Sequence, residues 1–134
     1  MGPARILVVD DFEPFRRLTR SMLETPRFRV VGQASDGLEA VQKARELQPD
    51  LILLDIGLPK LNGLCAAEQM RKVSPRSIIL FLTQDNSQDV VQEALNSGAL
   101  GYVHKTRTHR DLLPAIDSVL AGKQFVSATW EGQE

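Results

Sequence analysis

The chain has a single cysteine, Cys65, so no disulfide can form within it, and a reducing compartment is the expectation. It has two histidines, His104 and His109. Neither has a partner at metal-ligand spacing, which speaks against a zinc site. No apolar run approaches the ~20 residues that cross a bilayer. The N-terminus, "MGPARILVVDD", meets acids at once instead of following the charged-then-apolar order of a secretory leader. Ile6 stands where an N-myristoylation motif needs Ser or Thr. Neither sign of charge is in excess: 16 Lys and Arg face 17 Asp and Glu, for a formal net charge of −1. That balance argues against a nucleic-acid coat or a membrane surface as partner. The expectation is a cytoplasmic protein with no membrane contact and no direct nucleic-acid contact.

What is there is an ordinary globular composition of 134 residues, 43% hydrophobic and 25% charged, enough for one domain with one sizeable core. Short apolar runs recur: "RILVV" (5–9), "FRVVGQA" (28–34), "LILL" (51–54), "SIILFL" (77–82) and "GYVH" (101–104). Several are apolar almost throughout, as expected of strands covered on both faces of a parallel sheet. Helical stripes lie between them, over 13–24, 37–47, 63–73, 87–97 and about 110–121, with Phe15, Leu18 and Met22 on the first and Ala66, Ala67, Met70 and Val73 on the third. Gly98 and Gly122 are expected to end the last two. For the last helix, Thr108-x-x-Asp111 resembles a capping box, but that start would put Pro114 beyond the first turn; Asp111 is the preferred N-cap, because Pro114 then falls in the first turn, where no intrahelical bond is lost. Five βα units with right-handed crossovers make an open, doubly wound α/β sheet. Residues 4–122 form the expected domain. Residues 123–134, "KQFVSATWEGQE", are expected to be a linker or tail, with Trp130 making a tail or interdomain contact.

The stretch "PDLILLDIGLP" (49–59) then raises a physical question. A buried apolar strand runs straight into a carboxylate, Asp55, which is costly unless something compensates it. Other polar residues sit at strand C-terminal ends as well. Asp10 and Asp11 end the first strand, Thr83 the fourth, and Lys105 follows the fifth. In open α/β sheets such ends converge on one cleft.

The residues "VVDD", "LLDIGLPKLNG", "FLT" and "GYVHK" resemble the receiver domain of two-component response regulators, in order and spacing and over nearly the whole chain. The resemblance implies a flavodoxin-like, five-stranded parallel sheet of order 2-1-3-4-5 with helices on both faces. It implies Asp55 as phosphoacceptor for a sensor histidine kinase. It implies Mg²⁺ held by Asp11, Asp55 and the backbone carbonyl of Gly57, with Asp10 holding the ion through water. Thr83 and Lys105 are implied as phosphate contacts, and Tyr102 as the aromatic that turns inward when Thr83 moves. The surface of the fourth helix, fifth strand and fifth helix would then be remodelled and pair two receivers.

Charge supports the same set. Three carboxylates in one cleft repel by roughly 4 kcal/mol per pair at ~4 Å and an effective dielectric near 20. Mg²⁺ suits hard oxygen ligands of this kind. Together with the Lys105 ammonium it brings the local charge close to neutral. Phosphoryl transfer needs an in-line nucleophile and positive charge on the equatorial oxygens, which Asp55, the ion and Lys105 would supply. Asn62, ahead of Gly63, is expected to cap the third helix.

Simpler readings compete. Asp10 or Asp11 could cap the first helix, and Lys105 could be an exposed loop lysine. Thr83 could bond the backbone, and Tyr102 could be a static strand aromatic. The run "HKTRTHR" (104–110) is expected to be a solvated loop, and Cys65 a small packing residue.

Departures from the resembled family are Gln84 and Asp85, where a small residue usually follows the threonine, and Thr106, where proline often follows the lysine. Gln84 and Asp85 are expected to tune the lifetime of the phosphoryl group. The proline-less form and "VLAGKQFVS" (119–127) resemble the subgroup with a helix-turn-helix, LuxR-type output, and no such domain is legible in this chain. Three rivals remain. A degenerate receiver would bind partners without phosphorylation. An aspartate-nucleophile phosphatase would want an acid where Gly57 stands. A dinucleotide-binding domain would need glycines where "DDFEPF" stands.

Overall fold

Runs of Leu, Ile and Val with no polar interruption extend and pair, because branched side chains pack well on a pleated surface. The computed structural model describes residues 2–84 and 88–127, with the side chain of Gln88 left aside. In chain order the elements are β1 (Ala4–Val9), α1 (Glu13–Met22), β2 (Phe28–Ala34), α2 (Gly37–Leu47), β3 (Leu51–Leu54), α3 (Gly63–Val73), β4 (Ile78–Thr83), α4 (Gln88–Asn96), β5 (Gly101–His104), α5 (Thr108–Leu120) and β6 (Phe125–Val126). The strands form one sheet of order β2-β1-β3-β4-β5-β6, every pair parallel. The flavodoxin-like order 2-1-3-4-5 is present. A short sixth strand, from residues expected to be tail, extends it beside β5.

Period-2 alternation divides the core into two layers. Leu7, Val9, Ile52, Leu54 and Phe81 face one side and pack with Ala40 and Ala44 of α2, Ala66 and Met70 of α3, and Val91 and Ala94 of α4. Ile6, Val8, Leu51, Leu53 and Leu80 face the other and pack with Leu112, Ile116 and Val119 of α5 and with Phe15 and Met22 of α1. All four residues of β3 are at most 1% exposed, each stabilising the fold by about 2 kcal/mol.

Three expectations fail. α5 starts at Thr108, so Asp111 is not its N-cap and Pro114 lies inside the helix. A 3-10 turn, Lys105–Arg107, runs directly into the helix, and the Asp111 carboxylate is occupied by Arg107 and Ser127 instead. Pro114 and Arg110 are both exposed, so water can replace the donor that proline lacks. Next, "HKTRTHR" is not a solvated loop: it spans the end of β5, the turn and the start of α5, with His104 and Thr108 buried. Finally, Cys65 is exposed. The packing positions of α3 are its neighbours Ala66 and Ala67.

Candidate functional site

The register of the parallel sheet sets the site. Val9 lies beside Leu54, so the next residues, Asp10 and Asp55, emerge side by side where β1 and β3 end. Asp55 N–H still donates to the Val9 carbonyl at 3.1 Å. Thr83 lies beside His104, so Lys105 emerges next to Thr83. Four strand ends thus bring four polar residues to one edge.

Oxygens of Asp10, Asp11 and Asp55 lie within 4.8 Å of one another. Asp10 and Asp55 are buried and Asp11 is exposed. The Lys105 ammonium is 2.6 Å from Asp10 Oδ2 and 3.4 Å from Asp55 Oδ2. Its side chain is 11% exposed, so it is a largely buried counter-charge and not an exposed loop lysine. Neither acid caps α1. The N-cap is Phe12, with no side-chain bond, and Phe12 N–H donates instead to Asp10 Oδ1 at 2.8 Å.

Burial pushes the Asp55 carboxyl up from its ordinary range, Lys105 pulls it back, and Asp10 pushes it further up. The Gly57 amide donates to Asp55 Oδ1 at 3.3 Å and favours the charged form. The direction is set first by burial, which disfavours the charged carboxylate. One ammonium against three carboxylates leaves about two negative charges, which one hard divalent cation matches. The donors are all carboxylate oxygens, a set that suits Mg²⁺ and not a thiophilic metal. Asp11, Asp55 and the Gly57 carbonyl, with Asp10 behind them, are the groups that could hold it.

An open cleft of about 450 Å³ lies over these residues, with Asp11, Asp55, Gly57, Thr83, Gln84 and Lys105 in its walls. Thr83 is 3% exposed at the end of β4, and Gln84 is exposed beside it. Asp85 lies outside the described residues. Tyr102 does not reach the cleft wall. It is fully buried on β5, in the core layer that holds Phe81 and Val126.

The loop after Asp55 is held from below. Asn62 caps α3 by accepting from Cys65 N–H at 3.0 Å, as expected. A Cβ on Gly63 would come 2.1 Å from the Asp55 carbonyl oxygen. Glycine there lets the start of α3 approach the backbone of Asp55, and Gly63 N–H donates to the Ile56 carbonyl at 2.7 Å.

Two residues of the site were not legible as such. Phe15 reads as part of the α1 core stripe, yet the Lys105 ammonium lies 4.5 Å from its ring centroid. Arg16 donates to the Asp10 carbonyl at 2.5 Å. The only sequence signal for either is its place one helical turn after the acid pair.

Comparison with known proteins gives the same picture. Residues 6–117 match the family described as the response regulator receiver domain. The chain is 36% identical over 126 residues to the nitrate/nitrite response regulator protein NarL of Escherichia coli, covering 93% of this chain and 58% of that protein. It is 40% identical over 111 residues to a protein-glutamate methylesterase/protein-glutamine glutaminase of Methanosarcina acetivorans, covering 81% of this chain and 32% of that one. Among solved structures, a two-component response regulator of the LuxR family from Aurantimonas sp. SI85-9A1 superposes with a TM-score of 0.91 at 32% identity, covering 98% of this chain and 94% of that chain. The chain therefore spans less than two thirds of the length of these curated relatives.

Proposed function

The chain belongs to the response regulator receiver domain family, and on that premise we propose that it is a phosphoacceptor switch whose nucleophile is Asp55. The observation that carries the reading is the convergence of Asp10, Asp11 and Asp55 within 4.8 Å on a largely buried lysine 2.6 and 3.4 Å from two of them. A sensor histidine kinase is the donor: the phosphoryl group leaves its histidine and bonds to an Asp55 oxygen.

Mg²⁺ bound at these acids supplies positive charge to the phosphoryl oxygens. The chain's own residues do the rest. The Gly57 amide fixes one Asp55 oxygen and leaves the carboxylate facing the cleft. Lys105 leaves Asp10 for the new phosphate, a charge-assisted contact stronger than a neutral one. The Thr83 hydroxyl donates to a phosphate oxygen. Gln84, and Asp85 after it, govern the approach of water and so the lifetime of the acyl phosphate. Tyr102 follows Thr83. The surface of α4, β5 and α5 changes with it and pairs two receivers. Phosphate favours one of two existing states, so this is a shift of populations.

The domain is residues 4–122 with β6 (Phe125–Val126) added at the sheet edge, and it regulates rather than turns over substrate. Many receivers of this family serve regulators of transcription. The output here is transcriptional control through a helix-turn-helix domain, as in the LuxR-type subgroup. A cytoplasmic place fits a kinase partner, and among the described residues no helix is long and apolar enough to cross a membrane.

Incubation with acetyl phosphate and Mg²⁺, followed by intact mass, tests the reading. One phosphoryl adduct is expected, lost in Asp55→Ala and on chelation of the metal. No adduct at all would favour a phosphorylation-independent binding module, and rapid turnover of acetyl phosphate an enzyme.

A further inference from the structure

Ser127 is fully buried, and its hydroxyl donates to Asp111 Oδ2 at 2.6 Å. The same oxygen accepts from Arg107 Nε at 3.0 Å. Two donors, one of them charged, satisfy a carboxylate that is only 7% exposed. Each partner belongs to a different element. Arg107 ends the 3-10 turn that Lys105 begins. Asp111 lies in the first turn of α5. Ser127 follows β6. The turn is held from the helix side as well, since the Thr108 hydroxyl donates to the Lys105 carbonyl at 2.6 Å.

β6 in turn grips β5. Phe125 N–H donates to the Leu100 carbonyl at 3.0 Å and Ser127 N–H to the Tyr102 carbonyl at 2.8 Å. Val126 packs in the layer that holds the Tyr102 ring. The segment 125–127 is therefore fastened at once to the backbone of Tyr102 and to the turn carrying Lys105.

We infer that Arg107, Asp111 and Ser127 form a clamp that positions Lys105 for the phosphoryl group and couples the state of the cleft to the docking of β6. The inference rests on the phosphoacceptor reading of the same site. The physical basis is restraint. Lys105 hangs from a three-residue turn, and the clamp removes the freedom of that turn which would otherwise have to be lost on binding. Coupling of this kind is reciprocal: if docked β6 strengthens binding in the cleft, binding in the cleft strengthens the docking of β6 by the same factor. A merely structural Ser–Asp bond has no such reciprocity.

The test uses the full chain, beryllofluoride as the phosphoryl probe at saturating Mg²⁺, and amide hydrogen exchange over 123–127. In the wild type, beryllofluoride slows exchange at the Phe125 and Ser127 amides. In Ser127→Ala, exchange there quickens in the free protein, and the beryllofluoride Kd rises by about fivefold or more, the lower end of ordinary coupling. Asp111→Asn keeps an acceptor for Ser127 but loses the ion pair with Arg107, so its Kd rises less. It decides the question if Ser127→Ala does not fold by circular dichroism. Unchanged Kd in the folded variants, or wild-type binding with no change in exchange, overturns the clamp while leaving the phosphoacceptor reading intact. A wild type that binds no beryllofluoride overturns both.

Discussion

The shortest ion pair in the cleft, 2.6 Å, joins Lys105 to Asp10, while Asp55 stands 3.4 Å from the same ammonium. One cation is thus shared by two buried carboxylates. Replacing it by an apolar chain of similar length, Lys105→Met, leaves both without a counter-charge. Without divalent ions the variant is expected to lose about 3 kcal/mol, the low end for removing one partner of a buried pair. Mg²⁺ should then stabilise the variant more than the wild type, since the cation does work the ammonium no longer does. Urea melts in chelator and in Mg²⁺ measure both effects. Equal stability of variant and wild type in chelator would contradict the shared-cation account.

Asp55→Asn has a pH signature. Burial raises the Asp55 pKa, Asp10 adds to that, and Lys105 only partly reverses it. The folded protein therefore binds this proton more tightly than the unfolded chain does. The contribution of the protonated carboxyl is fully present below the unfolded pKa, about 3.9, and is lost as pH rises through the raised folded value. Without divalent ions the Asn variant is expected to melt higher than the wild type at neutral pH, with the difference closing near pH 4 (about the aspartate value in an unfolded chain). Thermal melts across that range check the sign. A less stable variant at neutral pH would mean that Lys105 outweighs burial.

Phe15 lies under the Lys105 ammonium, 4.5 Å from ring centroid to nitrogen. A cation–π contact at a partly desolvated site is worth about 1 kcal/mol. Phe15→Leu should keep the α1 stripe and slow phosphorylation by acetyl phosphate about fivefold, the rate equivalent of that energy, and Phe15→Trp should restore it. A Leu variant as fast as the wild type would reduce Phe15 to a packing residue.

Gln84 stands exposed in the cleft wall beside Thr83. If its amide orders the water that attacks the acyl phosphate, Gln84→Ala lengthens the adduct half-life. Intact mass against time after donor removal gives the number. An unchanged half-life removes Gln84 from the chemistry.

Much of this architecture was legible because one physical constraint wrote it. β3 is apolar on both faces since both faces are covered, and Asp55 stands out because it follows without a break. The sheet order and the convergence of Asp10, Asp11, Asp55, Thr83 and Lys105 follow from parallel strands ending at one edge. The start of α5 was misjudged because Asp111 is held by Arg107, one turn before it, and by Ser127, 16 residues away, and the second lies beyond any local pattern. β6 has two residues, too few to show a period. Cys65 was misplaced because a small residue next to Ala66 and Ala67 looks apolar by composition, and only the phase of the helix puts it outside. Phe15 does belong to a core stripe, and what the pattern could not convey is that the stripe's first member also touches the lysine.

The identity of the acceptor is the centre of the account. Reduction of the phosphorylated chain with borohydride converts an aspartyl phosphate to homoserine, and peptide sequencing by mass spectrometry then locates it. The expected result is homoserine at residue 55 alone, dependent on Mg²⁺. Homoserine at another acid, or phosphate retained on a serine, threonine or histidine with residue 55 intact, would contradict it.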